Sequence, residues 1–147
     1  MRCNSSSSAS SGESKVTGDL LGAGVDTNAV IALDGGNTNV AALLDACATV
    51  FLPAPVYGEL PFGACNSGRV AANLRKVEDF TRGCSFVPID ADVARRYAEL
   101  RTQLRRAGTP IPENDLWIAA TCLQLGVPLV TRDEHFRAIP GLVVRPW

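Results

Sequence analysis

The sequence predicts an α/β fold in which a mainly parallel sheet is covered by helices on both faces. Short apolar segments of strand length alternate with longer segments that repeat apolar residues at helical spacing, an alternation typical of parallel sheets. The chain has 147 residues, of which 46% are hydrophobic and 20% are charged. This length and composition fit one soluble globular domain with a real core.

The first half of the chain begins with a polar segment. Residues 1–15 are Ser-rich and bury little apolar surface, so residues 1–22 are interpreted as a disordered extension and residues 23–147 as the folded domain. Gly22 and Gly24 predict only a weak strand before Asp26. After it we expect, in order, a helix over NAVIAL, a helix over 37–47, a strand over TVFLP, an interrupted helix over 55–66 and an amphipathic helix over 68–83.

The second half contains the clearest helix, at 90–108. Its apolar residues recur on one face, and Gly108 closes it. Before it lies a strand, SFVPI. After it we expect a helix over 114–126, a strand at PLVT, a helical turn at HFRAI and a last strand at LVVR.

Charge and composition exclude several classes of protein. The net charge is −1, from 14 Lys and Arg against 15 Asp and Glu, so overall charge favours neither nucleic acid nor membrane. The chain has no apolar run of about 18 residues and no signal-peptide core, which predicts a cytoplasmic protein without membrane segments. The 5 cysteines are odd in number and form no CxxC, unlike a disulfide framework or a zinc site.

Four acidic residues, Asp26, Glu59, Asp115 and Asp133, each lie where an apolar segment ends or a helix should begin. Carboxylates beside buried segments are costly unless a cation gathers them, and a hard divalent metal takes oxygen ligands. Asp26 and Asp133 directly follow apolar strands. They should therefore meet at the carboxyl edge of the sheet, where sites in such folds form.

Each acid has a simpler interpretation when taken alone. Asp26 fits a helix cap as well as a ligand, Asp115 fits a first-turn acid, and Asp133 fits a turn residue. Glu59 is the most informative, because it stands in the apolar stretch VYGELPFGA. One cause, a site for one or two Mg²⁺ or Mn²⁺ ions, explains all four, and such a site can activate water to attack a phosphodiester.

Other groups offer little chemistry. His135 is the chain's 1 histidine, and we interpret it as a solvated residue in a surface turn. The chain lacks a GxSxG elbow, a P-loop and a GxGxxG motif. Basic residues on two helices are interpreted as solvated faces, while Arg132, beside Asp133, is the best candidate for a contact with RNA phosphate. For Trp117, packing in the core or at its rim is favoured over base stacking.

Five segments carry a resemblance to a known family. They are DTNAVIAL, a Glu-Leu followed by Phe-Gly-Ala, PENDLWIAA, LVTRDEHF and PGLVVRPW. In their order and spacing the chain resembles the PIN-domain ribonucleases, and more narrowly the VapC toxins of toxin–antitoxin pairs. The resemblance covers about residues 23–147.

This resemblance implies a compact three-layer α/β/α domain that cleaves RNA with Mg²⁺ or Mn²⁺. It implies that Asp26 and Asp115 bind the metal directly and that Glu59 and Asp133 complete the acidic pocket, partly through water. The residues expected to support the site by hydrogen bonds are Thr27 and Asn28. It also implies a homodimer and an inhibitory antitoxin whose C-terminal segment covers the cleft.

Three features depart from the family pattern. The 25 residues before Asp26 suggest an inert extension or a misassigned start, for which Val16 is a candidate. Pro61 is expected to interrupt the helix that carries Glu59 and to alter the aim of that side chain. Together with the glycines of the first strand, Pro61 supports an alternative hypothesis, an inactive PIN-like module that binds a partner protein. A third hypothesis is an enzyme acting on DNA or another phosphodiester.

Overall fold

The computed structural model describes residues 21–147. The predicted extension at residues 1–22 lies, except for its last two residues, outside the described residues. The first strand begins at Gly22, one residue before the predicted start of the domain.

The sheet has five strands in the order β3-β2-β1-β4-β5, and all four neighbouring pairs are parallel. The strands are β1 Gly22–Val25, β2 Thr49–Pro53, β3 Ser85–Val87, β4 Leu129–Val130 and β5 Val144–Arg145. The chain moves outward from β1 to β3 and then returns to the other side of β1. The strand order therefore reverses between β1 and β4, and ligands of open α/β sheets bind at such a point.

Helices connect the strands and give the domain its three-layer α/β/α arrangement, as predicted. The six α-helices of the described residues are α1 Thr27–Asp34, α2 Thr38–Asp45, α3 Ala54–Cys65, α4 Val70–Arg82, α5 Ala91–Ala107 and α6 Glu113–Leu125. A short 3₁₀ helix, Glu134–Ala138, follows β4. Asp26, Asn37 and Asp90 cap α1, α2 and α5 with their side chains. Within residues 21–147, no helix is both long and apolar enough to cross a membrane.

The two glycines of β1 permit close packing at the centre of the sheet. A Cβ at Gly24 would lie 2.5 Å from Cys122 Sγ on α6, and one at Gly22 would lie 2.6 Å from Cε2 of Phe51 on β2. The strand that propensity describes as weak thus pairs with a neighbour on each side. Tertiary packing, which propensity does not include, accounts for the difference.

The interruption predicted in α3 is wrong, because the helix continues through Pro61. Proline removes one backbone donor from a helix. The rest of α3 is held by its buried face, formed by Val56, Leu60 and Ala64. Burial of such a face outweighs local preference, and it fixes the position of Glu59 on the same helix.

Candidate metal centre

Asp26 begins the site at the end of β1. The residue is 4% exposed and caps α1, because its Oδ1 accepts the Ala29 N–H at 2.9 Å. Its Oδ2 accepts the hydroxyl of Thr131, a fully buried residue just after β4. Burial raises the pKa of Asp26 above its ordinary value, and these two hydrogen bonds partly oppose the rise. Asp26 therefore joins the ends of β1 and β4.

Glu59 reaches the same region from α3. Its Oε1 accepts the hydroxyl of Thr27 on α1, and its Oε2 accepts Asn114 Nδ2 on α6 at 2.7 Å. Both carboxylate oxygens are thus held by neighbouring helices, and Pro61 does not turn the side chain away. Thr27 supports Glu59 rather than Asp26, while Asn28 is exposed and has no side-chain hydrogen bond within residues 21–147.

Asp115 lies in the first turn of α6, and its side chain is 21% exposed. Burial first, and then the negative charges of Asp133, Asp26 and Glu59, raise the pKa of Asp115 to about 6, while His135 partly opposes this rise. All four predicted acids therefore interact electrostatically at one edge of the sheet. The convergence expected from the sequence is present, although which acids bind metal stays a prediction.

His135 is exposed in a short helical turn, as its interpretation as a solvated residue expects, but it also lies beside two of the acids. Its Nδ1 is 2.9 Å from Asp133 Oδ1 and 3.6 Å from Asp115 Oδ2. A local contact explains this pairing. Asp133 caps the 3₁₀ helix by accepting the His135 N–H at 3.0 Å, which brings these two side chains together. An Asp followed two residues later by His at a helix start could have indicated this pairing.

Arg132 and Trp117, the two residues considered for contacts with RNA, each lie against an aromatic ring. Arg132 donates from Nε to the Trp147 carbonyl at 2.9 Å, and its guanidinium carbon lies 5.2 Å from the centre of the Trp147 ring. Its contact with RNA stays a prediction. Trp117 stacks on Tyr97 with ring centres 3.7 Å apart, which agrees with rim packing.

The donor atoms of this edge fit a divalent cation. Ligand atoms of Asp115, Asp133 and His135 all lie within 4.8 Å of one another, and Asp26 and Glu59 add charge nearby. Carboxylate oxygens suit Mg²⁺ and Mn²⁺, and an imidazole is tolerated by transition metals. Both Asp26 oxygens accept hydrogen bonds, and this compact group of ligand atoms includes Asp115 but not Asp26. Direct binding of the metal by Asp26 stays a prediction.

Without metal, the protein should be more stable at pH 5 than at pH 7.5. The pKa of Asp115 rises from 3.8 to about 6 on folding, so the folded state binds a proton more tightly than the unfolded state. Stability should therefore fall as pH rises from about 4 to 6, by about 1–2 kcal/mol after allowance for solvent screening. Urea unfolding in chelator measures this change. The slope should flatten in Asp115→Asn but not in Asp79→Asn, whose side chain is 71% exposed; an equal slope in all three proteins would contradict the assignment.

Comparison with known proteins identifies the family to which the chain belongs. The chain matches the PIN domain over residues 24–142. Ribonuclease VapC5 of Mycobacterium tuberculosis is 34% identical over 124 residues, covering 80% of this chain and 87% of that relative. The structure of DNA-bound VapBC from Salmonella typhimurium aligns with a TM-score of 0.80 and 25% identity, over 87% of this chain and 99% of that one. VapBC2 from Rickettsia felis, bound to a promoter DNA fragment, gives a TM-score of 0.76 and 27% identity, over 86% and 99%. The all-parallel sheet, with acids where its strand order reverses, agrees with these matches. The similarities show that the chain belongs to the PIN-domain family, in its VapC branch.

Proposed function

We propose that the chain is a divalent-metal-dependent endoribonuclease, the toxin of a cytoplasmic toxin–antitoxin pair. The observation that carries the proposal is the convergence of four carboxylates from separate segments. Burial, together with the charges of the other three acids, raises the pKa of Asp115 to about 6. Such a cluster is unfavourable without a cation. The relatives named as VapC ribonucleases support RNA as the substrate.

Each acid has a distinct place in the proposed reaction. When bound, Mg²⁺ or Mn²⁺ would neutralise the cluster and supply Lewis-acid activation of water and phosphodiester. Asp115 and Asp133 are partly exposed and would hold the cation from the solvent side. Asp26 adds negative charge from its buried position, and Glu59 stays oriented through Thr27 and Asn114.

The alternative of an inactive binding module depends on a displaced Glu59. The side chain instead receives hydrogen bonds from two helices and contributes to the electrostatics of Asp115. This placement favours a working nuclease over a degenerate copy.

An apolar groove beside the acids supports an antitoxin partner. The groove has a volume of about 540 Å³ and lies between α1, α3 and α4. Its apolar lining includes Val30, Leu60, Val77 and Phe80, and its acidic end includes Glu59. A helical segment with an apolar face and a basic end would complement both parts. Solved VapBC complexes of similar fold support a protein of this kind as the partner.

A second surface supports the proposed homodimer. Tyr57 on α3 and Phe86 on the edge strand β3 are 48% and 50% exposed, and their rings pack edge to face at 5.2 Å. Exposed aromatic side chains that cluster in this way are common at protein interfaces.

RNA cleavage by the purified chain tests the proposed function. We expect cleavage with Mg²⁺ or Mn²⁺, none in chelator, and recovery when metal is returned. Asp133→Asn should lose most of this activity because it removes an acid from the cluster, whereas Asp79→Asn, at an exposed helix position, should retain it. Cleavage that survives chelator would contradict the metal mechanism. Equal cleavage of DNA of the same sequence would instead favour a general phosphodiesterase.

A further inference from the structure

We propose that His135 binds the catalytic cation directly through Nδ1, beside Asp115 and Asp133, and makes the site prefer Mn²⁺ to Mg²⁺. This inference rests on the proposed function and adds a nitrogen ligand to a site otherwise built from carboxylates. It concerns the identity of the metal and the part that His135 plays in selecting it.

The distances among the three side chains suit one shared cation. Ligands in adjacent positions of an octahedral site with bonds of about 2.1 Å lie about 3.0 Å apart. His135 Nδ1 is 2.9 Å from Asp133 Oδ1 and 3.6 Å from Asp115 Oδ2, and ligand atoms of all three residues fall within 4.8 Å. The imidazole nitrogen therefore points at the acids on which the proposed cation depends.

The backbone holds His135 in this position. Asp133 accepts the N–H of His135 at 3.0 Å, and its own N–H donates to Thr131 Oγ1 at 3.0 Å. The next residue, Phe136, is fully buried in the core and anchors the 3₁₀ helix. Thr131 also donates to Asp26, so the loop that carries the imidazole is tied to the most buried acid of the site.

The mixed donor set has a chemical consequence. Mg²⁺ favours oxygen ligands and gives up its waters reluctantly, whereas first-row transition metals accept imidazole readily. A metal-bound imidazole gives the lone pair of one ring nitrogen, here Nδ1, and carries its proton on the other, Nε2. The competing interpretation is that the imidazole only forms an ion pair with Asp133 and moves aside when a cation enters.

Pulsed EPR of bound Mn²⁺ separates these interpretations, because the chain has 1 histidine. Tag-free full-length protein would be prepared with natural and with ¹⁵N-labelled histidine and loaded with one equivalent of Mn²⁺. We expect a ¹⁴N modulation that changes to the ¹⁵N pattern on labelling and disappears in His135→Gln. The Mn²⁺ dissociation constant should rise by about 10–100-fold in His135→Gln, and that for Mg²⁺ by less than about threefold.

Glu134→Gln is the matched control, since Glu134 lies on the same 3₁₀ helix with its side chain 81% exposed. This variant should keep both the nitrogen signal and the Mn²⁺ affinity. Bound Mn²⁺ without a histidine signal, or unchanged Mn²⁺ affinity in His135→Gln, would overturn the inference while leaving the nuclease proposal intact. A histidine signal in a protein that cuts no RNA would instead support the ligand and refute the proposed function.

Discussion

Asp115→Asn is expected to reduce RNA cleavage by at least about a thousandfold, equivalent to about 4 kcal/mol of transition-state stabilisation. The amide keeps the shape of the side chain but loses the charge that would hold the cation. The same substitution should stabilise the metal-free protein at pH 7.5, because burial and three neighbouring acids penalise the ionised carboxylate. Initial cleavage rates, and urea unfolding in chelator, measure the two effects.

The combination of lower activity with higher stability is what distinguishes a ligand from a structural acid. Glu113→Gln provides the comparison, because Glu113 lies two residues away in the same turn but contacts Tyr97 and Arg101 instead. That variant should keep its activity and lose a little stability. Addition of Mn²⁺ should raise the midpoint of unfolding of the wild type and of Glu113→Gln. The midpoint of Asp115→Asn should rise much less. An Asp115→Asn protein as active as wild type would refute the site.

Gly24→Ala is expected to have the largest effect on stability, about 1–3 kcal/mol of destabilisation. The added Cβ would lie 2.5 Å from Cys122 Sγ, so either the fully buried Cys122 side chain or the spacing between the central strand and α6 would have to change. Because Asp26 directly follows β1 and Asp115 lies on α6, we also expect weaker cleavage at temperatures where the variant remains folded. Chemical denaturation and cleavage assays on the same preparation test both expectations.

A second substitution tests whether this contact is the cause. Cys122→Ala removes the sulfur, so it should cost less in the Gly24→Ala background than in the wild type. Gly58→Ala controls for the loss of a glycine, since Gly58 lies in α3 with nothing within 4 Å of an added Cβ. It should stabilise the protein by about 0.5–1 kcal/mol. Additive effects of the two core substitutions would show that strain arises elsewhere.

Local patterns were enough to predict much of this fold. The helix α5 has an Asp cap, an apolar face and a closing glycine, and it forms close to its predicted bounds. The acids were recognisable because carboxylates at the ends of apolar segments need a shared cause. The family resemblance then gave their arrangement, which spacing alone does not contain.

The contacts that organise the acids were not predictable in the same way. Asn114 and Glu59 are 55 residues apart in the chain, and Thr131 and Asp26 are 105 apart. Hydrogen bonds of this kind depend on how helices pack, and no local pattern encodes them. The continuity of α3 through Pro61 has a similar origin, because a buried helix face compensates for a lost donor.

Asp26 serves both the stability of the fold and the charge of the site, so one substitution would change both. One oxygen starts α1 and the other fastens the loop after β4, while the charge of the whole group contributes to the acidic site. A substitution that inactivated the enzyme at Asp26 would also remove hydrogen bonds that join the ends of β1 and β4, and so would lower stability. Asp115 caps no helix, so a substitution there should remove activity without that loss of stability. Inactive descendants of this protein are therefore expected to change Asp115 before Asp26.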